Sequence, residues 1–226
     1  MNYEIIGGDF PAVICNLETN ESMITEKGSM VWMTPNMEMQ TKGTSIGKAF
    51  GRMFSGESIF QNIYTARYQP GMITFASSFP GSIKPVILHP GESIIAQKGA
   101  FLASTSSVEL STFFQHKGMS GLFSGEGFIM QKMTGPGMVF LELDGAEWST
   151  VLAPGEQLIV DTGNVAMIDG TCSIDVVTVK GVKNKLFGGE GFFNTVITGP
   201  GKVVLQTMPI SNLAAAVAAC MPSSGN

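Results

Sequence analysis

The sequence predicts an all-β protein, a closed sandwich or barrel assembled from three internal β repeats with pseudo-threefold symmetry. One motif occurs three times along the chain, and short apolar runs alternate with turns that contain glycine. The composition agrees, since the 226 residues include 28 glycines and only 14% of them are charged. A sequence that repeats in this way describes units that each bury an apolar face only against a neighbouring unit.

The repeated motif is a phenylalanine followed by a Gly-Glu pair. It reads FSGES at residues 54–58, FSGEG at 123–127 and FGGEG at 187–191, with copies about 65 residues apart. Two further motifs keep this register: a turn with glutamate at 17–22, 88–93 and 152–157, and a Pro-Gly turn at 69–72, 135–138 and 199–202. The register predicts a single domain, residues 1–226, with repeats at about 10–78, 79–145 and 146–209.

Each repeat contains two apolar runs on either side of a turn with glycine. The runs are residues 23–25 and 30–33, then 93–96 and 100–103, then 158–160 and 165–168. Such a pair of runs predicts a β-hairpin, in which glycine adopts a positive φ without a steric clash. The Pro-Gly turns then connect the next strands of a meander.

Residues 211–220 predict a short C-terminal helix, because this segment is rich in alanine, the strongest helix former. Ser211 is the candidate N-cap. With so little polarity, the helix is expected to pack on the β body or on a partner chain.

The cysteines and the apolar runs bear on localisation. Cys15, Cys172 and Cys220 lack metal-ligand spacing, which favours free thiols in a reducing cytoplasm, and we interpret all three as small buried hydrophobic residues. No apolar run reaches about 18 residues, so no transmembrane segment is expected. The first residues lack the features of a secretory or transit peptide. The expected location is cytoplasmic.

Catalytic chemistry has little support in the sequence. The two histidines, His89 and His116, are interpreted as solvent-facing loop residues, and a metal site of the cupin type needs more histidines. The chain has no nucleophile elbow, no Cys–His pair with an orienting acid and no phosphate-binding loop. We therefore expect a protein that is not an enzyme, without catalytic residues, cofactor or metal.

The repeats leave one alternative open, a cation held by carboxylates near a pseudo-threefold axis. Such an axis would relate two sets of residues, Glu57, Glu126 and Glu190 in one set and Glu21, Glu92 and Glu156 in the other. For Glu126 and Glu190 the competing interpretation is a tight bend or bulge that starts a strand, in which the glutamate accepts backbone N–H bonds.

The charge distribution bears on the partners. A net charge of −5 and basic residues that are densest only at 180–185 make nucleic acid an unlikely partner. The low charge is also what a surface covered by another subunit would show, so self-association into a homo-oligomer is one expectation.

The motifs LFSGEGF at 122–128, LFGGEGF at 186–192 and VLQTMP at 204–209, with the Gly-Pro-Gly turns, resemble a widespread prokaryotic family. Its eukaryotic relatives are the mitochondrial biogenesis proteins named for altered inheritance of mitochondria, which are tied to inner-membrane organisation. The resemblance extends from about Ala12 to the C-terminal helix. It implies a fold similar to the trp RNA-binding attenuation protein, of the double-stranded β-helix or β-sandwich type, and it implies no catalytic residues.

Two functions are compatible with these observations. The leading hypothesis is a non-enzymatic scaffold or interaction protein. The alternative is a small-ligand or lipid-binding β module, with Trp32 and Trp148 among the walls of its cavity.

Overall fold

The computed structural model describes residues 1–26, 28–43, 60–116, 128–178 and 193–221. Within these ranges the chain is built mainly of β-strands, followed by a short helix. The strands are β1 (Asn2–Ile6), β2 (Ala12–Leu17), β3 (Ser22–Thr25), β4 (Met30–Met33), β5 (Met37–Gly43), β6 (Phe60–Ala66), β7 (Gly71–Ala76), β8 (Gly81–Leu88), β9 (Ser93–Gln97), β10 (Phe101–Thr105), β11 (Glu109–His116), β12 (Phe128–Thr134), β13 (Gly137–Asp144), β14 (Glu147–Leu152), β15 (Gln157–Asp161), β16 (Val165–Asp169), β17 (Ser173–Thr178), β18 (Phe193–Thr198) and β19 (Gly201–Gln206), and the helix is α1 (Ile210–Cys220). The all-β prediction is confirmed.

The chain divides into two compact units, Met1–Leu143 and Asp144–Asn226. In the first unit, one antiparallel sheet has the order β1-β2-β7-β4 and a second has the order β5-β6-β3-β10-β13-β8. A further group of strands has the order β11-β12-β9. A buried cluster that includes Val13, Cys15, Phe75 and Phe140 forms the core of this unit.

In the second unit, β19 lies between β14 and β16, and β18 lies between β15 and β17. Its buried side chains include Leu152, Ile168 and Val204. The single domain and the pseudo-threefold axis stay predictions.

The predicted hairpins are wrong. Strands β9 and β10, on either side of Gly99, pair with other strands: β9 pairs with β12, whereas β10 pairs with β3 and β13. The connection is a 3₁₀ turn, Lys98–Ala100, and the third repeat has a similar turn, Thr162–Asn164. The turn therefore carries the chain from one sheet to another, because distant strands with matching apolar faces offer more burial than the neighbouring strand does.

The Pro-Gly turns are also passages between sheets rather than links of a meander, since β12 and β13 belong to different sheets. Glycine is required at Gly137, where φ is 151° and an added Cβ would lie 2.4 Å from the Thr105 hydroxyl oxygen. In each repeat, a side-chain oxygen accepts the backbone N–H of the residue that follows the glycine of the Pro-Gly turn. The Met72 N–H donates to Thr34 over 3.0 Å, the Met138 N–H to Thr105 over 3.0 Å and the Lys202 N–H to Asp169 over 2.7 Å.

A bulge also recurs at one position of each repeat, in β4, β10 and β16. The register shifts between Met30 and Trp32, between Phe101 and Ala103 and between Val165 and Met167. The three repeats thus share local geometry down to single hydrogen bonds and bulges.

The C-terminal helix is confirmed, but its predicted cap is wrong. The N-cap residue is Pro209 and Ser211 lies inside the helix. The Ile210 N–H donates instead to the Asp144 carboxylate over 2.9 Å, so a residue distant in sequence satisfies the first turn. Most of the helix is exposed, including Val217 and Cys220.

Candidate functional site

The sequence-predicted site residues fall partly outside the described residues. Glu57, Glu126 and Glu190 lie there, as does the basic segment 180–185. The second set of carboxylates is described in full.

Each glutamate of the second set holds its own turn. One carboxylate oxygen accepts a backbone N–H three residues earlier: Glu18 donates to Glu21 over 2.8 Å, His89 to Glu92 over 2.9 Å and Ala153 to Glu156 over 2.8 Å. The residue before each glutamate has a positive φ, 70° at Asn20, 84° at Gly91 and 78° at Gly155. Each of these three glutamates therefore closes a tight bend, whereas the bend expected at Glu126 and Glu190 lies outside the described residues.

Metal chemistry is not supported by the described residues. They contain no group of three or more His, Cys, Asp or Glu side chains that could hold a metal ion. His89 is exposed in its turn as predicted, whereas His116 ends β11 rather than lying in a loop.

Glu21 differs from its two counterparts because its second oxygen binds the N-terminal ammonium of Met1 over 3.0 Å. Burial alone would raise the pKa of Glu21, but the hydrogen bond from Glu18 and the ammonium charge lower it below its usual value. The chain start is thereby fixed beside β2.

The cysteines divide into two kinds. Cys15 and Cys172 are buried, as predicted, but Cys220 is exposed on the helix, so that prediction is wrong for Cys220. Burial raises the pKa of the Cys15 thiol to about 12, and burial together with the Asp169 charge raises the pKa of Cys172. The two buried thiols are therefore poor nucleophiles at neutral pH.

The candidate functional surface is an exposed strand edge. Strands β2, β8 and β14 occupy equivalent places, because each ends in a leucine before the glutamate turn and pairs on one side with the strand after the Pro-Gly turn. The three strands differ in what lies on their other side.

Strand β2 is covered by β1, which pairs with it antiparallel from Asn2↔Asn16 to Ile6↔Ala12. The Tyr3 ring packs edge-on against Phe140, with ring centroids 5.1 Å apart. As a result, Val13 and Cys15 of β2 are completely buried.

Strands β8 and β14 each end their group of strands, with no described strand on the outer side. In β8 this edge contains Lys84 and Pro85, a charge and a residue without an N–H, which discourage further strand pairing. The corresponding residues of β14 are Trp148 and Ser149.

Strand β14 therefore presents an edge with two exposed apolar side chains, which we call the β14 edge (residues 147–152). Trp148 is 51% exposed and Val151 is 71% exposed. Edge strands of this kind present unpaired N–H and C=O groups that can pair with another chain.

Sequence reasoning named Trp148 only as a possible wall of a ligand cavity and missed the edge. Both Trp148 and Trp32 are exposed rather than enclosed. The signal was present in the repeat alignment, which sets Trp148 and Ser149 against Lys84 and Pro85. The alignment identifies an open edge only when the order of the strands in the sheet is known.

The described residues define an all-β protein in which a sequence motif recurs. The glutamates of this motif accept backbone N–H groups within turns. The chain belongs to the family described as mitochondrial biogenesis AIM24, whose sequence model matches residues 3–208. The family resemblance read from the repeated motifs is confirmed. The likeness to the trp RNA-binding attenuation protein stays a prediction.

Two proteins of Streptococcus pyogenes are similar to this chain. An uncharacterized protein of serotype M6 is 31% identical over 228 residues, covering 96% of this chain and 89% of the relative. The crystal structure of another S. pyogenes protein matches with a TM-score of 0.81 and 25% identity, covering 97% of this chain and 99% of that one.

Among the described residues, none of the helices has the length and hydrophobicity needed to cross a bilayer.

Proposed function

We propose that this chain is a non-enzymatic interaction protein of the cytoplasm that binds other polypeptide chains, including copies of itself, through apolar residues exposed on its strands. The observation that carries the proposal is the exposure of large apolar side chains on strands. They include Trp32 on β4, Ile87 on β8 and Trp148 and Val151 on β14. Apolar side chains that lie together on a surface, as Trp148 and Val151 do on one strand, are typical of protein interaction sites.

The recurrent polar residues support the non-enzymatic part. Glu21, Glu92 and Glu156 each accept a turn N–H. Side chains engaged in backbone hydrogen bonds at equivalent places of three repeats are explained by the needs of the fold. No observation on the described residues favours the small-ligand alternative over this proposal.

The three cysteines support the cytoplasmic part. All are free, and two of them are buried. Free thiols persist in a reducing compartment.

Site-specific photo-crosslinking in cells tests the proposal. A photoreactive phenylalanine analogue is placed singly at Trp32, Ile87, Trp148 or Val151, and at exposed polar strand positions, Gln40 and Asp175, as matched controls. We expect discrete adducts from at least one apolar position and none from the polar ones, because a specific partner covers only the apolar surface.

Denaturing electrophoresis and mass spectrometry identify the adducts, with homo-oligomers seen at multiples of the chain mass. The absence of adducts from every apolar position, or equal adducts from the polar controls, would contradict the proposal.

A further inference from the structure

We propose that the β14 edge is a docking site for an extended segment of a second polypeptide, which adds to it as an antiparallel strand and places a positive charge against Glu156. This inference rests on the proposed function and identifies the surface and the chemical class of the partner. The partner segment begins with a free α-amine, followed by residues that pair along β14.

The chain itself shows what such an occupant looks like. Strand β1 adds to the outer side of β2 as a five-residue antiparallel strand. Its start is fixed by the Met1 ammonium, which lies 3.0 Å from Glu21 Oε1. Three interactions thus hold β1: main-chain pairing, the Tyr3 ring against Phe140, and the ion pair.

The β14 edge repeats the acceptor side of this arrangement. Residues of β14 pair with β19 from Glu147↔Gln206 to Leu152↔Gly201, as β2 pairs with β7 from Ala12↔Ala76 to Leu17↔Gly71. The outer side of β14 is therefore oriented as the outer side of β2 is. Main-chain pairing to an exposed sheet edge is a common mode of peptide recognition.

The carboxylate that binds the first residue of β1 also has a counterpart beside β14. Glu156 uses Oε2 to accept the Ala153 N–H over 2.8 Å, as Glu21 uses Oε2 for the Glu18 N–H. Glu156 Oε1, the counterpart of the oxygen that binds the Met1 ammonium, has no hydrogen-bond partner among the described residues. A cation at the start of the partner strand would be complementary to this carboxylate.

The comparison with β8 indicates that only one of the two open edges is used. Lys84 and Pro85 obstruct strand addition to β8, although Glu92 holds the same turn there. At the β14 edge, Trp148 and Val151 instead offer apolar contact to an incoming strand. Aromatic and β-branched residues stabilise cross-strand pairs.

A binding experiment on the full chain tests the proposal with the peptide Met-Asn-Tyr-Glu-Ile-Ile-amide, the sequence of the first six residues, carrying a free amine and a C-terminal fluorophore. Fluorescence anisotropy measures its affinity. We expect saturable binding with a stoichiometry of one.

Variants of the protein locate the binding. The double variant Trp148→Lys with Ser149→Pro copies the β8 residues onto β14, and we expect it to weaken binding at least about tenfold. Glu156→Gln and N-acetylation of the peptide should each weaken binding by up to about fivefold, and their effects should not add, because they remove one ion pair. The matched controls Ile87→Thr and Glu92→Gln, at the equivalent places around β8, should bind as the parent does.

Circular dichroism and thermal melting establish that each variant folds. If the double variant fails to fold, Val151→Lys takes its place, because Val151 is exposed and its replacement leaves the core intact.

Three results would overturn the proposal: no saturable binding by the parent chain, unchanged affinity in the folded β14 variants, or an equal loss with the Ile87 and Glu92 controls. Failure here is separate from failure of the proposed function. If Trp32 or Ile87 gives photo-crosslinks but the peptide does not bind at β14, the protein is still an interaction protein and its docking surface lies elsewhere.

Discussion

Strands β2 and β14 occupy the same place in two repeats, yet their residues meet opposite environments. Val13 and Cys15 of β2 are completely buried, whereas Trp148 of β14, the counterpart of Val13, is half exposed. The turns that follow both strands are alike, with a carboxylate that accepts the same backbone N–H over 2.8 Å. The difference is the added strand β1, which pairs with β2 and has no counterpart beside β14 among the described residues.

The comparison separates two levels of structure. The turn is local, so each copy of the motif reproduces it. Burial of a strand is not local, because it depends on which strand lies beside it. A repeat can therefore keep its turns while its edges take on different functions.

The largest expected effect comes from a proline at the equivalent position of each strand. Ile14→Pro should lower the free energy of unfolding by about 1–3 kcal/mol, because β2 is paired on both sides and loses a backbone donor. Ser149→Pro should cost little, since β8 has proline at this position already. Urea unfolding of both variants measures the difference, and equal losses would mean that the β14 edge is covered in solution.

The second effect concerns the aromatic residues of the two edges. Tyr3→Ala should cost about 1–2 kcal/mol, because the Tyr3 ring packs edge-on against Phe140. Trp148→Ala should change the stability by less than about 0.5 kcal/mol, because an exposed side chain loses few contacts. Thermal melts of the two variants at one protein concentration test this, and a large loss for Trp148→Ala would contradict the exposed edge.

The third effect is a pH dependence to which Cys15 of the covered edge contributes. The folded chain holds the pKa of Cys15 at about 12 against an ordinary value of 9.0, so the folded state keeps a proton that the unfolded state releases. Stability should be full below pH 9 and should fall between pH 9 and 12, by up to about 1.4 kcal/mol for each pH unit. Urea midpoints between pH 7 and pH 10.5 measure the slope.

Cys15→Ala is the control for this pH dependence and should flatten the slope. Cys172 and Tyr64, whose pKa values burial also raises, account for a slope that remains in this variant. An unchanged slope in Cys15→Ala would mean that β2 is accessible to water.

The smallest effect compares the two carboxylates. Glu21→Gln should cost less than about 1 kcal/mol at pH 7, because the ion pair with the Met1 ammonium is partly exposed. The folded state lowers the pKa of Glu21, so its contribution is present above about pH 4.5 and is lost as the pH falls further. Glu156→Gln should cost less, since the glutamine oxygen can still accept the Ala153 N–H and no ammonium contact is lost. Unfolding at pH 7 and pH 3 tests both variants, and equal losses at pH 7 would argue against a special role of the amine.

Much of the local structure was predictable from the residues. The Gly-Pro-Gly motif marked the turn in which Gly137 leaves no room for a Cβ, and the recurring glutamate motif marked the turn that Glu21 closes with a hydrogen bond. Both depend on residues a few positions apart, so the sequence contains all that is needed.

Strand partners were not predictable in the same way. The residues around Gly99 satisfy the pattern of a hairpin, but β9 and β10 pair with strands that lie far away in sequence. The cap of α1 shows the same limit, because Ser211 is a good N-cap residue and yet Asp144 accepts the Ile210 N–H instead. The β14 edge was missed for this reason too, since an edge exists only once the strand order is known.

The amino-acid order alone determined the all-β class, the threefold recurrence of the turns and the family, because these follow from short motifs and their spacing. The tertiary structure alone decided which strands are neighbours and which strand edges have no described neighbour. The physical reason is that strand pairing is a competition among distant segments for the same backbone hydrogen bonds and apolar faces, and its outcome depends on all of them at once.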